Sequence, residues 1–245
     1  MKKSNIVLLI GLLVVLASIT AASIYVRGVI TDGLIKGDGN IIREQRDVSS
    51  FKSFKITGKL NVYYTQNSEK MIIVEADSNL LEHINTEIED EVLKISHNRN
   101  VRTRDVKIYV SNEYFENIEL NAGSRFITDQ PVELDNIGLI ARAGSHLNIE
   151  GEFGELKLNL IAGSDASLKG KCRDFSVTAK AGSRLKAKDL IADNVDLNGS
   201  SGSNLEVHAV KRLSVNGSSG TNIYYHGEPN LESINTSSGA TLNKR

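Results

Sequence analysis

The sequence contains no tryptophan, one cysteine and two prolines among 245 residues, and its aromatic content is 5%. One cysteine cannot form an intramolecular disulfide, so the fold must hold by packing even in an oxidising compartment. The scarcity of large aromatic side chains disfavours a bulky globular core. The formal net charge is only -1, which removes any overall electrostatic argument for a nucleic-acid partner.

Charge is absent from residues 6–26, an apolar run of 21 residues that follows Lys2 and Lys3. A helix of that length spans a bilayer core of about 30 Å, and the run exceeds the apolar region of roughly 7–15 residues found in signal peptides. Small residues at positions 20–23 nevertheless offer a signal-peptidase site after Ala22. We therefore predict that residues 1–26 are a signal peptide or a transmembrane anchor.

The flanks of this run predict the compartment of the rest of the chain. Two lysines precede the run and only Arg27 follows it closely, which places the N-terminus in the cytoplasm and the body of the protein outside. No cysteine lies near residue 22, so a bacterial lipoprotein anchor is excluded. Residues 27–46 carry four glycines and mixed charges and are interpreted as a linker.

A tripeptide with a central glycine between small residues occurs seven times in the second half of the chain. Successive glycines are 21, 19, 19, 20, 18 and 19 residues apart. This regularity indicates an internal repeat. The copies are Ala122-Gly123-Ser124, Ala143-Gly144-Ser145, Ala162-Gly163-Ser164, Ala181-Gly182-Ser183, Ser201-Gly202-Ser203, Ser219-Gly220-Thr221 and Ser238-Gly239-Ala240.

Apolar side chains recur at fixed offsets from these glycines. The positions five before and three after the glycine are apolar in every copy, and the position seven before it fails only in the first and last copies. This period of two predicts β-strands whose odd offsets face the interior, with the small residues of the tripeptide inside a tight corner. A further inward column, ten positions before the glycine, comprises Leu134, Phe153, Cys172, Ala192 and Val210.

These observations predict an all-β fold, a right-handed parallel β-helix (β-solenoid) with coils of about 19 residues. Coils would stack about 4.8 Å apart, so that backbone amides pair between them. The repeat β-helix is assigned to residues 116–245 and irregular β coils to residues 47–115, so that 47–245 form one continuous domain. A polar row four positions before the glycine is interpreted as structural stacking; it comprises Asn159, Thr178, Asn198, Asn216 and Asn235.

Residues 47–115 lack the glycine repeat but contain strand-like apolar runs. Residues 77–84 are expected to form one helical turn with Asp77 or Ser78 as its cap. The whole block is expected to close the open apolar end of the stack as irregular first coils. Strands are predicted at residues 54–56, 60–64, 71–74, 92–95 and 106–110.

The same block carries a resemblance to a known family. Its elements are Arg46-Asp47-Val48, Phe51, Phe54, Ile56, Gly58, Leu60-Asn61-Val62-Tyr63, Val74-Glu75-Ala76-Asp77, Asn79-Leu80-Leu81, Ile84, Thr86-Glu87-Ile88 and Leu93-Lys94-Ile95. On these residues the chain resembles, over 42–240, the head GIN domain of auto-transporter adhesins. The resemblance implies a β-helical extracytoplasmic domain. Asn67 and Asp90-Glu91 depart from the family pattern, in which glycine-containing turns are common at these places.

No residue pattern points to a catalytic, cofactor or metal site. Cys172 lies in an inward apolar column, so we expect a small core residue and not a nucleophile. His208 and His226 would be neighbours on adjacent coils, but Lys188 and Arg245 share their column and repel a cation. We therefore predict no metal and no cofactor. The other histidines, which have no spaced companions, are His83, His97 and His146.

Acidic residues and tyrosines form small local groups. Glycoside hydrolases and lyases on β-helices line one face with carboxylates, whereas neither acidic group here recurs in one column, so both are interpreted as solvated loop charge. One outward tyrosine in each aromatic pair falls short of the flat aromatic platform of a sugar-binding surface. The acidic groups are Glu87, Glu89, Asp90 and Glu91 at an expected turn and Glu150, Glu152 and Glu155 on an expected loop; the aromatic pairs are Tyr63-Tyr64 and Tyr224-Tyr225, with Tyr224 outward and Tyr225 inward.

The sequence thus predicts an exported, non-enzymatic β-helical module of the bacterial cell envelope that binds or scaffolds through its coil faces. Two other functions stay open: an envelope structural or stress-signalling component anchored by residues 6–26, and a polysaccharide-active enzyme, which requires carboxylates converging in one groove. The expected partners are the membrane, through the N-terminal segment, and a glycan or protein at the cell surface. The sequence does not identify ligand-binding residues.

Overall fold

A computed structural model of the protein describes residues 11–23, 25, 34–98, 101 and 106–245. These residues divide into two units. The smaller unit contains a helix over residues 11–23 and an isolated bridge between Ile35 and Val101. Within the described part of the chain, no helix has the length and apolar character needed to cross a membrane. The predicted segment 6–26 lies partly outside the described residues.

The larger unit begins at Gly37 and consists almost entirely of β-strands. Its one described helix is a 3-10 helix at Ser78–His83. The strands are β1 (Ile41–Arg46), β2 (Ser53–Thr57), β3 (Asn61–Gln66), β4 (Met71–Asp77), β5 (Ile84–Glu89), β6 (Val92–His97), β7 (Lys107–Asn112), β8 (Asn117–Asn121), β9 (Arg125–Thr128), β10 (Val132–Arg142), β11 (His146–Ile161), β12 (Asp165–Lys180), β13 (Arg184–Gly199), β14 (Asn204–Gly217), β15 (Asn222–His226), β16 (Asn230–Thr236) and β17 (Thr241–Lys244).

The predicted parallel β-solenoid is confirmed, with about 7 turns and about 19 residues per coil. One face of the stack runs in the order β6, β2, β8, β10, β11, β12, β13, β14 and β16, with every neighbouring pair parallel. A second face runs through β7, β3, β9 and then the starts of the same long strands to β15 and β17. The long strands bend at corners, so each of them contributes to more than one face.

The repeated tripeptide forms a left-handed corner. Its first two residues both have positive φ, for example 54° at Ala181 and 71° at Gly182. The first residue is exposed, so the prediction that it points inward is wrong. Two successive left-handed residues interrupt the alternation of side chains, which resumes in the same phase at the third residue. A small residue is favoured at the first position because this backbone conformation crowds a Cβ atom.

The corner preserves the hydrogen-bond ladder between coils. At six of the seven corners the glycine N–H donates to the carbonyl of the residue before the next glycine, as Gly182 does to Ser201 at 2.9 Å. The third residue of the tripeptide is buried in the first six copies, as predicted, while Ala240 in the last copy is partly exposed. In most copies its hydroxyl donates to the carbonyl three residues earlier, as in Ser183 to Lys180 at 2.7 Å. Buried polar groups therefore keep partners at every described corner of this kind.

The predicted inward columns form the core, with two differences. Val210 is 42% exposed, and Ala209 takes its place opposite Ala192 because the register shifts in the shorter coil. In the last coil a shift between Leu213 and Ser214 places Leu231 opposite Leu213. The polar row from Asn159 to Asn235 does stack in register, on the outer side of the sheet.

The N-terminal block contains all the predicted strands, but its coils are not stacked in chain order. The coil of β6 and β7 lies beneath the coil of β2 and β3, and β8 and β9 lie on its other side. Strands β4 and β5 run antiparallel to β7 and β6 and cover that end. Strand β1, in the segment interpreted as a linker, pairs antiparallel with β4.

The predicted helical turn is the 3-10 helix, whose N-cap Asp77 makes no side-chain capping hydrogen bond. Asp77 therefore occupies the predicted cap position without a side-chain capping hydrogen bond. The Asp77 carboxylate instead accepts a hydrogen bond from the Gly39 N–H at 2.6 Å. This hydrogen bond joins the segment before β1 to the end of β4. The hairpin turn between β5 and β6 has positive φ at Asp90 and Glu91, which explains the glycine-containing turns of related sequences at this place.

Most of the aromatic core lies in these first coils. Four rings pack around Phe54 at centroid distances of 5.1 to 5.8 Å. The Tyr64 hydroxyl within this cluster donates to the Asn112 carbonyl at 2.8 Å, and burial raises the pKa of Tyr64. The rings around Phe54 are Phe51, Tyr64, Phe115 and Phe126.

Alanine substitutions at two glycines compare the cost of a left-handed backbone with the cost of a steric clash. A Cβ atom at Gly182 meets nothing within 4 Å, so Gly182→Ala suffers only the left-handed φ of 71°. We expect it to lower the free energy of unfolding by about 1 kcal/mol. At Gly170 the new methyl overlaps the backbone carbonyl of Gly151 in the adjacent coil, so Gly170→Ala should cost at least about 3 kcal/mol. Urea unfolding of both variants checks the difference, and equal losses would contradict it.

The Glu75 carboxylate on β4 forms ion pairs with one side chain on β1 and one on β7. Its carboxylate accepts hydrogen bonds from Lys107 at 2.9 Å and Arg43 at 2.7 Å, and these two contacts hold the pKa of Glu75 below its ordinary value of 4.5. A carboxyl with a lowered folded-state pKa stabilises the fold fully above its ordinary pKa, and this stabilisation declines as pH falls below 4.5.

Glu75→Gln should therefore lower stability by about 1 kcal/mol at neutral pH and flatten the loss of stability below pH 4.5. Glu87→Gln, which changes an exposed acid on β5, is the matched control. The measurement is urea unfolding from pH 3 to 7, in steps of about one pH unit. The same pH profile in both variants would show that the Glu75 contacts contribute nothing.

Candidate functional site

A polar groove of about 1010 Å³ lies where three successive coils meet. Its walls are the segment before β8, the first half of β10 and the middle of β11. Because the coils are about 4.8 Å apart, side chains at staggered positions in the sequence reach one surface here. The lining residues are Tyr114, Phe115, Glu116, Asn117, Glu133, Leu134, Asp135, Asn136, Ile137, Gly138, Glu152, Phe153, Gly154, Glu155 and Lys157.

The groove begins at the free edge of β10. Val132 and Glu133 pair with β11 on one side, while on the other side the side chain of Gln66 replaces a strand. Its carbonyl oxygen accepts from the Glu133 N–H at 2.8 Å, and its amide donates to the Glu133 carbonyl at 3.1 Å. The same amide donates to the Glu113 carbonyl at 2.9 Å. Gln66 therefore holds two coils together at the end of the groove.

The groove combines acidic oxygens with an accessible ring. Five of its residues are acidic and only Lys157 is basic. Lys157 pairs with Glu155 at 2.7 Å, and Glu152 pairs with Lys171 outside the groove at 3.2 Å. Tyr114 is 42% exposed, so part of its ring can contact a bound molecule. Within the described residues, no group of three acidic, histidine or cysteine side chains is arranged to hold a metal ion.

Such a surface suits a ligand that is rich in hydroxyl groups. Carboxylates accept hydrogen bonds, while a side-chain amide both accepts and donates, and Asn117 and Asn136 line the groove together with the acids. A tyrosine ring packs against the apolar face of a flat ligand while its hydroxyl stays in water. The buried Phe153 and Leu134 form part of the floor.

A second candidate surface is the outer side of the second face. Tyr63 and Tyr109 lie in register and stack with a centroid distance of 5.4 Å. Arg43 lies over the Tyr109 ring, 5.6 Å from its centroid. Stacking covers the ring faces and leaves their edges to solvent, so this pair is a cross-strand contact and not a flat platform. Tyr224 is likewise covered, by the Arg245 guanidinium at 3.8 Å.

Next to this stack lies a shallower groove of about 420 Å³. Arg125, Arg184 and Lys186 give it a basic character, but Asp165 lies among them and pairs with Arg184 at 3.4 Å and with His146 at 3.3 Å. These contacts partly neutralise the surface. We therefore regard the larger groove as the candidate site.

The residues singled out from the sequence lie apart from one another. Cys172 is buried, and burial raises the pKa of its thiol to about 12. His208 and His226 are register neighbours with ring centroids 6.1 Å apart, as predicted. His226 contacts the Glu206 carboxylate at 3.0 Å. Within the described residues no metal cluster includes this pair.

The acidic groups behave differently from each other. Glu89 pairs with Lys94, and Glu91 pairs with Lys52 at 3.0 Å, around the β5–β6 turn. Glu152 and Glu155 instead line the groove, beside residues that the sequence analysis did not group with them. Glu152 lies in register with Glu133, and Glu155 with Asn136. These pairs share offsets from the repeat glycine, a signal in the sequence that was missed. The residues missed at the sequence level are Tyr114, Glu116, Glu133 and Asp135.

Comparison with known families identifies the architecture. The family model described as "Putative auto-transporter adhesin, head GIN domain" matches residues 50–229. The chain belongs to this family. The resemblance of its N-terminal block is thereby confirmed. No curated protein sequence matches the chain.

Solved structures with the head GIN fold are similar over most of their length. A "putative adhesin" from Bacteroides fragilis superposes with a TM-score of 0.73 at 18% identity, covering 86% of this chain and 100% of its own. A "putative adhesin" from Parabacteroides merdae gives 0.69 at 16% identity, with coverages of 86% and 98%. A "Putative lipid binding protein" from Parabacteroides distasonis gives 0.65 at 18% identity, with 86% and 99%. At these identities the likeness establishes the fold alone.

The role of Gln66 at the end of the groove can be tested directly. Gln66→Leu removes the bonds to both Glu133 backbone groups and should lower the free energy of unfolding by about 1 kcal/mol. Gln66→Glu keeps the acceptor for the Glu133 N–H but loses both donors, so it should not restore stability. Amide hydrogen exchange at Glu133 should rise in Gln66→Leu. Unchanged protection there would show that the side chain does not act as a strand.

Proposed function

We propose that this head GIN protein is an exported, adhesin-like binding module whose large groove holds a carbohydrate of a surface partner. Binding is non-covalent and involves no catalysis. The observation that carries the proposal is the groove itself, which five acidic side chains and two amides line together with the exposed Tyr114.

The chemistry of the lining favours a neutral sugar over other ligands. Neighbouring hydroxyl groups of a sugar donate to carboxylates, and the groove is rich in such acceptors. An anionic ligand is repelled by the excess of acidic groups. A purely apolar ligand leaves the carboxylates without hydrogen-bond partners once water is displaced, which is costly.

The acidic lining of the groove can also be compared with the active site of a polysaccharide-active enzyme. Such an enzyme places one carboxyl group with a raised pKa opposite a second carboxylate across the scissile bond. The groove offers carboxylates from three coils, and two of them, Glu152 and Glu155, are engaged by lysines. This engagement supports a binding role. An oligosaccharide recovered at full length after prolonged incubation agrees with it, and cleavage products contradict it.

Family membership supports an exported or cell-surface location. We propose that the body of the protein, residues 47–245, is presented outside the cytoplasm as one domain. N-terminal sequencing of the mature protein from fractionated cells decides whether residues 6–26 are retained. A mature protein that begins at Ser23 excludes an anchored structural or signalling component.

Carbohydrate binding is tested with a glycan array followed by calorimetry on the best neutral hit. Tyr114→Ala should weaken binding at least about tenfold, since stacking on a ring contributes about 1 kcal/mol or more. Glu133→Gln should weaken it by a similar factor because a charged acceptor is lost. An array without signals above background overturns the proposal.

Tyr224→Ala is the matched control, since it removes a surface tyrosine outside the groove. It should leave the affinity unchanged. Equal weakening by Tyr114→Ala and Tyr224→Ala would place the glycan elsewhere on the coils. Thermal unfolding of each variant confirms that the fold is intact.

A further inference from the structure

The shallower groove of about 420 Å³ crosses four successive coils on the outer side of the second face. Parallel pairing places every second residue of neighbouring strands side by side, so the lining forms two rows along the stacking direction. At about 4.8 Å per coil, each row is about 14 Å long. The first row comprises Arg125, His146, Asp165 and Arg184, and the second comprises Ile127, Asn148, Ser167 and Lys186.

Positive charge exceeds negative charge in this groove. Asp165 is the one acid among the described lining residues, and its carboxylate already pairs with His146 at 3.3 Å and with Arg184 at 3.4 Å. Arg125 and Lys186 are exposed, and neither side chain forms an ion pair or hydrogen bond with another described residue. With His146 neutral, three cations are balanced by one acid, and the excess attracts an anion.

The flanking positions do not supply the missing acids. Glu206 lies in register with Lys186, but its carboxylate is held by His226 of the adjacent coil at 3.0 Å. At the other end of the groove, Arg125 lies in register with the uncharged Asn61. The charges of Arg125 and Lys186 are therefore available to a ligand.

The remaining side chains suit a sugar better than a bare ion. Ile127 is partly exposed and offers an apolar contact to a sugar ring. Neither the Asn148 amide nor the Ser167 hydroxyl forms a side-chain hydrogen bond with another described residue, and both groups donate and accept. They therefore match the hydroxyl groups of a sugar. The volume of about 420 Å³ also lies in the usual range of small-molecule sites, which is about 300–1,000 Å³.

A nucleic acid matches this groove less well than an acidic polysaccharide does. Proteins that hold single strands stack the bases on free aromatic rings. Tyr63, which lies in register with Ile127, instead stacks on Tyr109 with a centroid distance of 5.4 Å. The net charge of -1 provides no general attraction for a duplex. A linear polysaccharide needs neither feature, because hydroxyl groups and single anionic groups recur along its chain.

We propose that the shallower groove binds an acidic polysaccharide, whose sugar units carry carboxylate or sulfate groups, with its chain along the stacking direction. Arg184 and Lys186 lie two residues apart on one side of β13, with about 6.6 Å between their Cα atoms, and receive one anionic group. Arg125 receives a second group at the opposite end. This site is separate from the larger groove, whose acidic lining repels such a chain, and it does not depend on the carbohydrate proposed there.

Calorimetry on the full chain, in a mild non-ionic detergent, tests the class of ligand. The probes are a short oligogalacturonate, its methyl ester, dextran sulfate and poly-L-glutamate. At least one of the two acidic saccharides should bind, and its affinity should fall as salt is raised. Binding of oligogalacturonate alone identifies a carboxylate, and binding of dextran sulfate alone identifies a sulfate. The proposal is overturned when neither binds, when binding of oligogalacturonate persists in its methyl ester, or when polyglutamate binds as tightly as the preferred saccharide.

Substitutions then locate the site. Lys186→Gln should weaken binding at least about fivefold, because a charge-assisted contact is lost. Lys180→Gln is the matched control, since it removes an exposed lysine of β12 outside the groove, and it should leave the affinity unchanged. Asp165→Asn removes the acid from the groove and releases Arg184, so it should tighten binding at least about threefold.

Two outcomes of these substitutions contradict the proposal. Equal weakening by Lys186→Gln and Lys180→Gln would show only a diffuse attraction between charges. An Asp165→Asn variant that binds no more tightly than the original chain would show that the acid does not oppose an anion in this groove. Far-ultraviolet circular dichroism verifies that each variant is folded.

Discussion

The structure depends on an unbroken ladder of backbone hydrogen bonds between coils. A solenoid must turn corners, and a corner normally interrupts a ladder. Here two left-handed residues turn the chain while the corner glycine still donates to the next coil, as Gly163 does to Ala181 at 3.0 Å. Every coil must then follow the path of its neighbour, which explains the nearly constant repeat length and the apolar columns.

The same constraint produces the groove. Parallel stacking brings residues about 19 positions apart to neighbouring places, so a surface can collect side chains that are remote in sequence. The first repeat coil has no strand beneath part of β10, and Gln66 fills only the end of the gap. The remaining space is lined by acids and amides. The missing strand beside β10 thus creates the groove. Functional sites are often found where a regular fold departs from its own pattern.

The regular part of the fold was predictable because the apolar period and the glycine spacing each reflect a single repeated environment. The burial of the small residue after the first six corner glycines followed from the same pattern. The outward orientation of the first residue of each tripeptide did not follow from this pattern. A run of small residues is compatible both with a tight interior and with a left-handed backbone. Val210 was misplaced because a coil one residue shorter shifts the register locally. Glu133 and Glu152 share a column, but Tyr114 precedes the first repeat strand, so only the three-dimensional arrangement brings it to the same groove.

The stacking order of the first coils has a consequence for how the chain can fold as it is synthesised. The coil of β2 and β3 lies between two coils that both come later in the sequence. A polypeptide that emerges N-terminus first cannot complete this layer until residue 128 has appeared. Growth by simple addition from the leading end is therefore impossible, and the core must wait for long-range contacts, which slows folding. The first strands of the chain therefore keep unpaired backbone groups until its middle segment is available to pair with them.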